Sequence, residues 1–103
     1  AVAVLATDTV LEIGTGSGFL AACLGYLGRE VESIEIHADL VAAARRSLET
    51  GGVANVHVRQ ADGLAEGFDP GREFDVIVLS GAVAREPVAL RRWLKPGGRL
   101  FAV

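Results

Sequence analysis

The pattern of apolar and polar positions along the chain predicts five β-strands. Thr9–Ile13 is a short run rich in β-branched residues, and Phe74–Leu79 is nearly all apolar, as expected for strands covered on both faces. Residues 30–36 alternate between two faces with the period of two that a strand requires. Shorter segments at residues 56–59 and 99–103 predict the other two strands.

Three segments between these strands predict helices. Apolar residues recur at helical spacing in Phe19–Leu27, and Ala38–Thr50 is rich in alanine and leucine and is followed by a glycine pair, a common helix stop. A short helix is predicted at residues 87–94, before a turn at KPGG. The predicted core-facing residues of the first helix are Phe19, Leu20, Cys23, Leu24 and Leu27. On that side Cys23 is interpreted as a buried small hydrophobe rather than a nucleophile.

Strands that alternate with helices at short spacing predict βαβ units, and therefore a doubly wound parallel sheet with helices on both faces. The predicted strand order is 3-2-1-4-5, with the first strand in the centre. In such a sheet, ligands bind beyond the carboxyl end of the central strands, where the strand order reverses. A chain of 103 residues is one domain at most. We therefore predict a single Rossmann-like α/β domain over residues 1–103.

The net charge and the hydropathy of the chain limit which partners and which cellular location we expect. A net charge of −3 gives no electrostatic reason to expect nucleic acid or an anionic membrane as a partner. We find no apolar run of about 18 residues and no signal peptide, and predict a soluble cytoplasmic protein. Both ends, AVAVLA and RLFAV, are apolar, which indicates a fragment of a longer chain. An uncovered strand at RLFAV predicts self-association through the sheet edge.

Three glycines in five positions, Gly14, Gly16 and Gly18, follow the first predicted strand in VLEIGTGSGF. A phosphate-binding P-loop would end in Gly-Lys-Ser/Thr, which this loop does not. A dinucleotide-binding loop has the spacing G-x-G-x-x-G, and Phe19 stands where its third glycine would be, so the spacing argues against NAD. Two interpretations of the glycines stay open: a tight strand-to-helix turn, or backbone that lies against a ligand.

Three carboxylates near this loop favour a nucleoside that carries a positive charge and no phosphate. Glu35, at the end of the second strand, is placed to accept hydrogen bonds from two ribose hydroxyls. Asp62, followed by Gly63, is placed to accept from an exocyclic amine such as that of adenine, with the glycine making room for the ring. Glu12 lies inside a buried strand, where a carboxylate is costly unless paired, and a cationic ligand would pair it. The plainer alternatives are a solvated strand end for Glu35 and an ordinary Asp-Gly turn for Asp62.

Successive motifs of the chain resemble those of the class I S-adenosylmethionine-dependent methyltransferases, and within them the protein-L-isoaspartate O-methyltransferase family. The motifs are VLEIGTGSGF, SIEIHADL, VRQADG, FDVIVLSGA and LKPGGRLFAV, and the resemblance runs from Asp8 to Val103. It implies S-adenosyl-L-methionine as the cofactor and isoaspartyl carboxylates of damaged proteins as the substrate. The chain departs from the family in lacking segments before the first strand and after the fifth, and in its SGAVAREP loop.

The resemblance also implies a role for each matching residue. It places the glycine loop against the methionine part of the cofactor, Glu35 on the ribose, Asp62 at the adenine edge and Ser80 near the methyl group. The implied cofactor-binding residues are Glu12, Gly14, Thr15, Gly16, Gly18, Glu35, Ile36, His37, Asp62, Gly63, Ser80 and Gly81. For His37, a helix-start position beside the pocket is an equal alternative to direct contact.

No catalytic residue and no metal ligand is assigned within the chain. An isoaspartyl carboxylate, with a pKa near ~4, is ionised at neutral pH and needs no general base. The alternatives to an isoaspartyl methyltransferase are a class I methyltransferase with another substrate and a non-catalytic cofactor-binding module.

Overall fold

The computed structural model describes residues 4–16, 18–65, 67–80 and 88–102. In chain order the elements are β1 (Thr9–Ile13), α1 (Phe19–Leu27), β2 (Glu30–Glu35), α2 (Ala38–Thr50), β3 (Val56–Gln60), β4 (Phe74–Leu79), a 3₁₀ helix (Val88–Trp93) and β5 (Leu94–Ala102). The strands form one parallel sheet in the order β3-β2-β1-β4-β5. The predicted fold class and strand order are therefore confirmed.

The register of the central strand fixes what lies at the carboxyl end of the sheet. Glu12 of β1 is opposite Ser33 of β2 on one side and Val78 of β4 on the other. Because all strands are parallel, their carboxyl ends meet at one edge. The glycine loop after β1, Glu35 at the end of β2 and Ser80 just after β4 therefore share this edge.

The sheet has an apolar layer on each face, which explains why every residue of β1 is buried. Both α-helices pack on the same face, because the right-handed connections from β1 to β2 and from β2 to β3 run in one direction. The layer under them contains Val10, Ala21, Leu24, Val31, Val41, Ala44, Leu48, Val56, Val58, Val76 and Val78. The 3₁₀ helix and the β3–β4 connection cover the other face, through Leu90, Trp93, Ala61 and Phe68.

The side of α1 that faces the sheet agrees with the prediction only in part. Leu24 is buried as predicted, together with Ala21 and Gly25, whereas Phe19 is 76% exposed and Cys23 is only half-buried. The helix is apolar around its whole circumference, so periodicity could not select the buried side. Gly25 decides it, because a Cβ there would lie 2.6 Å from Val56 Cγ2, and the backbone of α1 can approach β3 closely only without one.

Element boundaries differ from the prediction mainly at the last strand. Relative to the predicted limits, β2 ends one residue earlier and β3 ends one residue later. The short third helix is a 3₁₀ helix. Leu94 is opposite Phe74 and Arg99 is opposite Val76, so the KPGG segment bulges out of β5 instead of preceding it. The positive φ of Gly97, 78°, allows that irregularity. Within the described ranges, no helix has the length and apolarity needed to cross a membrane.

Candidate functional site

The three glycines after β1 all have positive φ, of 96° at Gly14, 56° at Gly16 and 86° at Gly18, but their surroundings differ. A Cβ at Gly14 would collide with the carbonyl oxygen of Ser80, and one at Gly18 would lie 3.3 Å from Ala44 Cβ. A Cβ at Gly16 would meet no other described residue within 4 Å. Packing and chain reversal thus account for Gly14 and Gly18, while Gly16 leaves backbone beside open space.

The carboxylate of Glu35 anchors this loop from the end of β2. Its Oε1 accepts a hydrogen bond from the Gly16 N–H at 3.0 Å, and its Oε2 accepts one from the His37 N–H at 3.0 Å. The residue is 6% exposed. A carboxylate has about four lone-pair sites, so two remain for further donors such as neighbouring hydroxyls. The predicted role on a ribose is compatible with this geometry.

A cleft of about 190 Å³ opens beside the glycine loop. Its lining is Ile13, Gly14, Ile34, Glu35, Ile36, Ala61, Asp62, Gly63, Leu64 and Ser80. Ile36 and Leu64 are about half exposed, so two large apolar side chains border an opening to solvent. Apolar walls with a few polar groups are typical of a small-molecule site, and here suit a flat, weakly polar ring with hydroxyls attached.

Asp62 and Gly63 both line the cleft, with local roles that the sequence only partly predicted. Asp62 is exposed, and its Oδ1 accepts a hydrogen bond from the Leu64 N–H at 3.0 Å, so the plain turn interpretation also holds. A Cβ at Gly63 would lie 2.6 Å from Ile13 Cδ1. In this structure Gly63 therefore lets the connection after β3 rest on Ile13, which forms part of the cleft wall.

Glu12 lies beneath the loop, fully buried, rather than in the cleft. Ser33 Oγ donates to its Oε1 at 2.5 Å, and Ser80 Oγ lies 3.5 Å from its Oε2. Burial raises the pKa of the Glu12 carboxyl to about 7, against the lowering effect of these hydroxyls. Within the described residues hydroxyl groups, and no cationic side chain, contact this carboxyl.

The remaining predicted residues divide between cleft, interior and surface. Thr15 is buried, with its hydroxyl 2.5 Å from Ser33 Oγ, so contact with a ligand would come from its backbone. Ser80 lines the cleft and bonds the Gly14 carbonyl at 2.5 Å. His37 is exposed at the N-cap of α2 and makes no side-chain capping bond. Gly81 lies outside the described residues.

Sequence reasoning assigned no role to Ser33, the residue that joins Glu12 to Thr15. A signal was present: Val31, Ser33 and Glu35 alternate onto one face of β2, so two polar side chains continue a face that begins apolar. The apolar lining residues Leu64 and Ala61 were also not predicted, because they belong to a connection without periodicity. No cluster of three or more metal-ligating side chains occurs in the part of the chain that the structure describes.

The chain is similar in sequence to proteins named protein-L-isoaspartate O-methyltransferase. The family model for protein-L-isoaspartate(D-aspartate) O-methyltransferase matches residues 2–102. A protein-L-isoaspartate O-methyltransferase of Pyrococcus abyssi is 48% identical over 89% of this chain and 43% of its own length. One from Anaeromyxobacter dehalogenans is 48% identical over 90% of this chain and 44% of its own length. The chain thus spans less than half of these relatives.

Solved structures of methyltransferases have a fold similar to that of this chain. A protein-L-isoaspartate O-methyltransferase structure superposes with a TM-score of 0.80 at 32% identity, covering 93% of this chain and 31% of the other. A SAM-dependent methyltransferase from Thiobacillus denitrificans, in complex with S-adenosyl-L-homocysteine, superposes with a TM-score of 0.78 at 27% identity, covering 95% and 42%. With a family match over nearly its whole length, the chain belongs to the protein-L-isoaspartate(D-aspartate) O-methyltransferase family.

Proposed function

We propose that this chain is the cofactor-binding core of an enzyme that transfers a methyl group from S-adenosyl-L-methionine to isoaspartyl carboxylates in damaged proteins. Family membership supports the reaction class, since the match extends over residues 2–102. The observation that carries the proposal is the pairing of Glu35 with the open backbone at Gly16, next to a largely apolar cleft. This arrangement offers hydroxyl acceptors, bare backbone and apolar walls at one end of a parallel sheet.

The described residues fit this cofactor group by group. The two lone-pair sites left on Glu35 suit the vicinal hydroxyls of a ribose. Ile36 and Leu64 would border the adenine ring, and Asp62 would accept from its exocyclic amine. Gly16 would leave the methionine part room against the backbone, because no described residue other than its chain neighbours has an atom within 4 Å of where its Cβ would be. Among the described residues no Lys or Arg side chain lines the cleft, as suits a cofactor without phosphate.

The chemistry asks little of the protein beyond alignment. Bound S-adenosyl-L-methionine supplies a methyl group on a positively charged sulfur, which leaves as a neutral thioether. An isoaspartyl carboxylate is ionised at neutral pH and attacks without a base. The residues of this chain would therefore hold donor and acceptor in line and exclude water, which accelerates such a displacement without proton transfer. We assign no catalytic residue to the described part of the chain.

The substrate would be a protein or peptide that contains an isoaspartyl residue, with no nucleic acid or membrane involved. The net charge of −3 is consistent with that choice. We further infer a cytoplasmic location, where repair of aged proteins would take place. We also infer self-association through β5, which is one of the two outer strands of the described sheet. Light scattering over a range of concentrations tests it.

Two measurements test the proposed function. Calorimetric titration with S-adenosyl-L-homocysteine and with NAD compares the two nucleosides, and we expect binding of the first only. Methyl transfer is then measured on an isoaspartyl peptide and on the same peptide with a normal aspartyl residue. Transfer to the isoaspartyl peptide alone supports the proposal. Cofactor binding without transfer to either peptide would favour a non-catalytic module, or a methyltransferase for another substrate, and tighter binding of NAD would refute the cofactor assignment.

A further inference from the structure

Three successive residues of β2 hold three successive residues of the glycine loop. The Ile34 carbonyl accepts from the Gly14 N–H at 2.8 Å, and Glu35 Oε1 accepts from the Gly16 N–H at 3.0 Å. Between them, Ser33 Oγ lies 2.5 Å from Thr15 Oγ1. The first of these bonds needs only backbone, and Glu35 also faces the cleft. Ser33 is the one side chain of the three whose contacts lie wholly beneath the loop.

The direction of the hydrogen bonds makes this a chain rather than a set of pairs. When Glu12 is ionised, Ser33 donates its one hydroxyl proton to Glu12 Oε1 at 2.5 Å. In that state Thr15 donates to Ser33. The chain Thr15→Ser33→Glu12 thus connects the loop, β2 and β1, and every side chain in it is 4% exposed or less.

Burying these groups is costly for stability. Ser33 and Glu12 are fully buried on the face of the sheet that carries α1 and α2, where the neighbouring strand positions are filled by Val10 and Val31. A polar network in such a layer does not exceed the stability of well-packed apolar side chains. A network that joins a loop to two strands favours one loop conformation before a ligand arrives, and such preorganisation lowers the entropy lost on binding.

We propose that Ser33 is a positioning residue of the cofactor site, which acts through Thr15 to hold the glycine loop in its binding conformation. This inference rests on the proposed function for its ligand. Two of its readouts need no ligand, however, so the inference about Ser33 and the proposed function can fail separately. Glu35 is the charged group whose field acts on Glu12 in this network, and α1, which follows the loop, carries no charged side chain.

The test compares Ser33→Ala with Thr9→Val. Thr9 is also a buried hydroxyl residue, at the other end of β1 and away from the cleft. Its Oγ1 donates to Asp75 Oδ2 at 3.0 Å. We expect Ser33→Ala to weaken S-adenosyl-L-methionine binding about tenfold, as for one lost hydrogen bond to a buried group, and Thr9→Val to change it less than twofold. In turnover, KM for the cofactor should rise while kcat stays constant. Equal affinities for both variants would overturn the proposal.

Two ligand-free measurements separate positioning from general destabilisation. Hydrogen exchange at the Gly18 N–H, which bonds the Thr15 carbonyl at 3.0 Å, should quicken in Ser33→Ala while amides inside β1 and β4 keep their rates. The ¹³C titration of the Glu12 carboxyl should move upward, because the Ser33 hydrogen bond lowers its pKa. Unchanged loop exchange would refute the inference, whatever the wild-type protein binds. Failure of the wild type to bind S-adenosyl-L-methionine would refute the proposed function instead.

A double-variant cycle tests whether Ser33 acts through Thr15. Thr15→Val breaks the same chain at the loop but leaves the Ser33–Glu12 bond, so it should weaken binding about tenfold without moving the Glu12 titration. The double variant should then be no weaker than either single variant. Losses that multiply would show that Ser33 acts by another route. If Ser33→Ala does not fold, Thr15→Val alone carries the test, and wild-type affinity in it would overturn the proposal.

Discussion

Gly16 and Gly52 offer a matched test of whether the glycine loop lies against a ligand. Both have left-handed φ, of 56° and 69°, and at both an added Cβ meets no other residue within 4 Å in the part of the chain that the structure describes. Gly52 lies in the turn after α2, away from the cleft residues. Gly16→Ala and Gly52→Ala therefore impose the same backbone strain in equally open surroundings. Only the first places a methyl group where the cofactor is proposed to lie.

The magnitudes follow from the backbone conformations. An alanine in the left-handed region costs about 1–2 kcal/mol, so both variants should lose about that much free energy of unfolding and remain folded. Gly14→Ala differs, because its Cβ would collide with the Ser80 carbonyl oxygen, a backbone atom that cannot turn aside. We expect Gly14→Ala to lose about 3 kcal/mol or more, as overpacked sites do.

Urea unfolding and calorimetric titration with S-adenosyl-L-homocysteine measure the two effects separately. Gly16→Ala should bind at least tenfold more weakly than wild type, and Gly52→Ala should bind as the wild type does. Equal affinities in the two variants would refute the idea that backbone at Gly16 contacts the ligand, and the loop would then be only a turn. A Gly14→Ala variant as stable as the wild type would show that the packing argument is wrong.

Three further predictions concern carboxylates. Glu35→Ala should weaken S-adenosyl-L-methionine binding by about 1–3 kcal/mol, because two hydroxyls lose their acceptor, and unchanged calorimetric affinity would remove Glu35 from the site. Relative to the wild type, Glu12→Gln should gain about 2–3 kcal/mol of unfolding free energy between pH 5 and pH 8, because a folded pKa of about 7 against 4.5 makes the wild type lose stability as pH rises through that window. The same difference in urea midpoint between the two proteins at both pH values would contradict this. The Thr9 N–H lowers the pKa of Asp75, so that bond stabilises above pH 3.8 and is lost on acidification. Asp75→Asn should flatten acid unfolding followed by circular dichroism below that pH, and an unchanged profile would rule out this contribution.

The sheet was predictable because its signals are local and agree with one another. The apolar runs of β1 and β4 and the glycine stops after α1 and α2 each have a plain physical cause. Right-handed connections then leave few strand orders, and the predicted one is confirmed. Where the local signal was ambiguous, prediction failed in part. For the all-apolar α1 the predicted buried side was only partly right, because a close approach at Gly25, visible only in three dimensions, decides it.

For the candidate site, the sequence indicated which residues lie at the same edge of the sheet, but it did not indicate the hydrogen-bond partner of each. Glu35, Gly16 and Ser80 do lie together, as a shared carboxyl edge of parallel strands requires. Glu12 was expected to await a cationic ligand, but Ser33 and Ser80 already contact it in the structure. Such pairing depends on the register between β1 and β2. The alternation along each strand fixes which face a side chain occupies, but a shift of two residues keeps that face, so the sequence alone did not pair Glu12 with Ser33.

That register explains why a buried carboxyl and a ligand loop occur at the same place. Glu12 is opposite Ser33 two residues before the glycine loop begins, so their side chains share the face under which the loop turns into α1. A shift of one residue between β1 and β2 would place Glu12 and Ser33 on opposite faces of the sheet, and Thr15 would lose its acceptor. The same pairing that satisfies Glu12 thus specifies the register, and the register aligns Glu35 with Gly16. Burying polar groups in this layer costs stability, but the pairing of these groups gives the strands that hold the site one defined alignment.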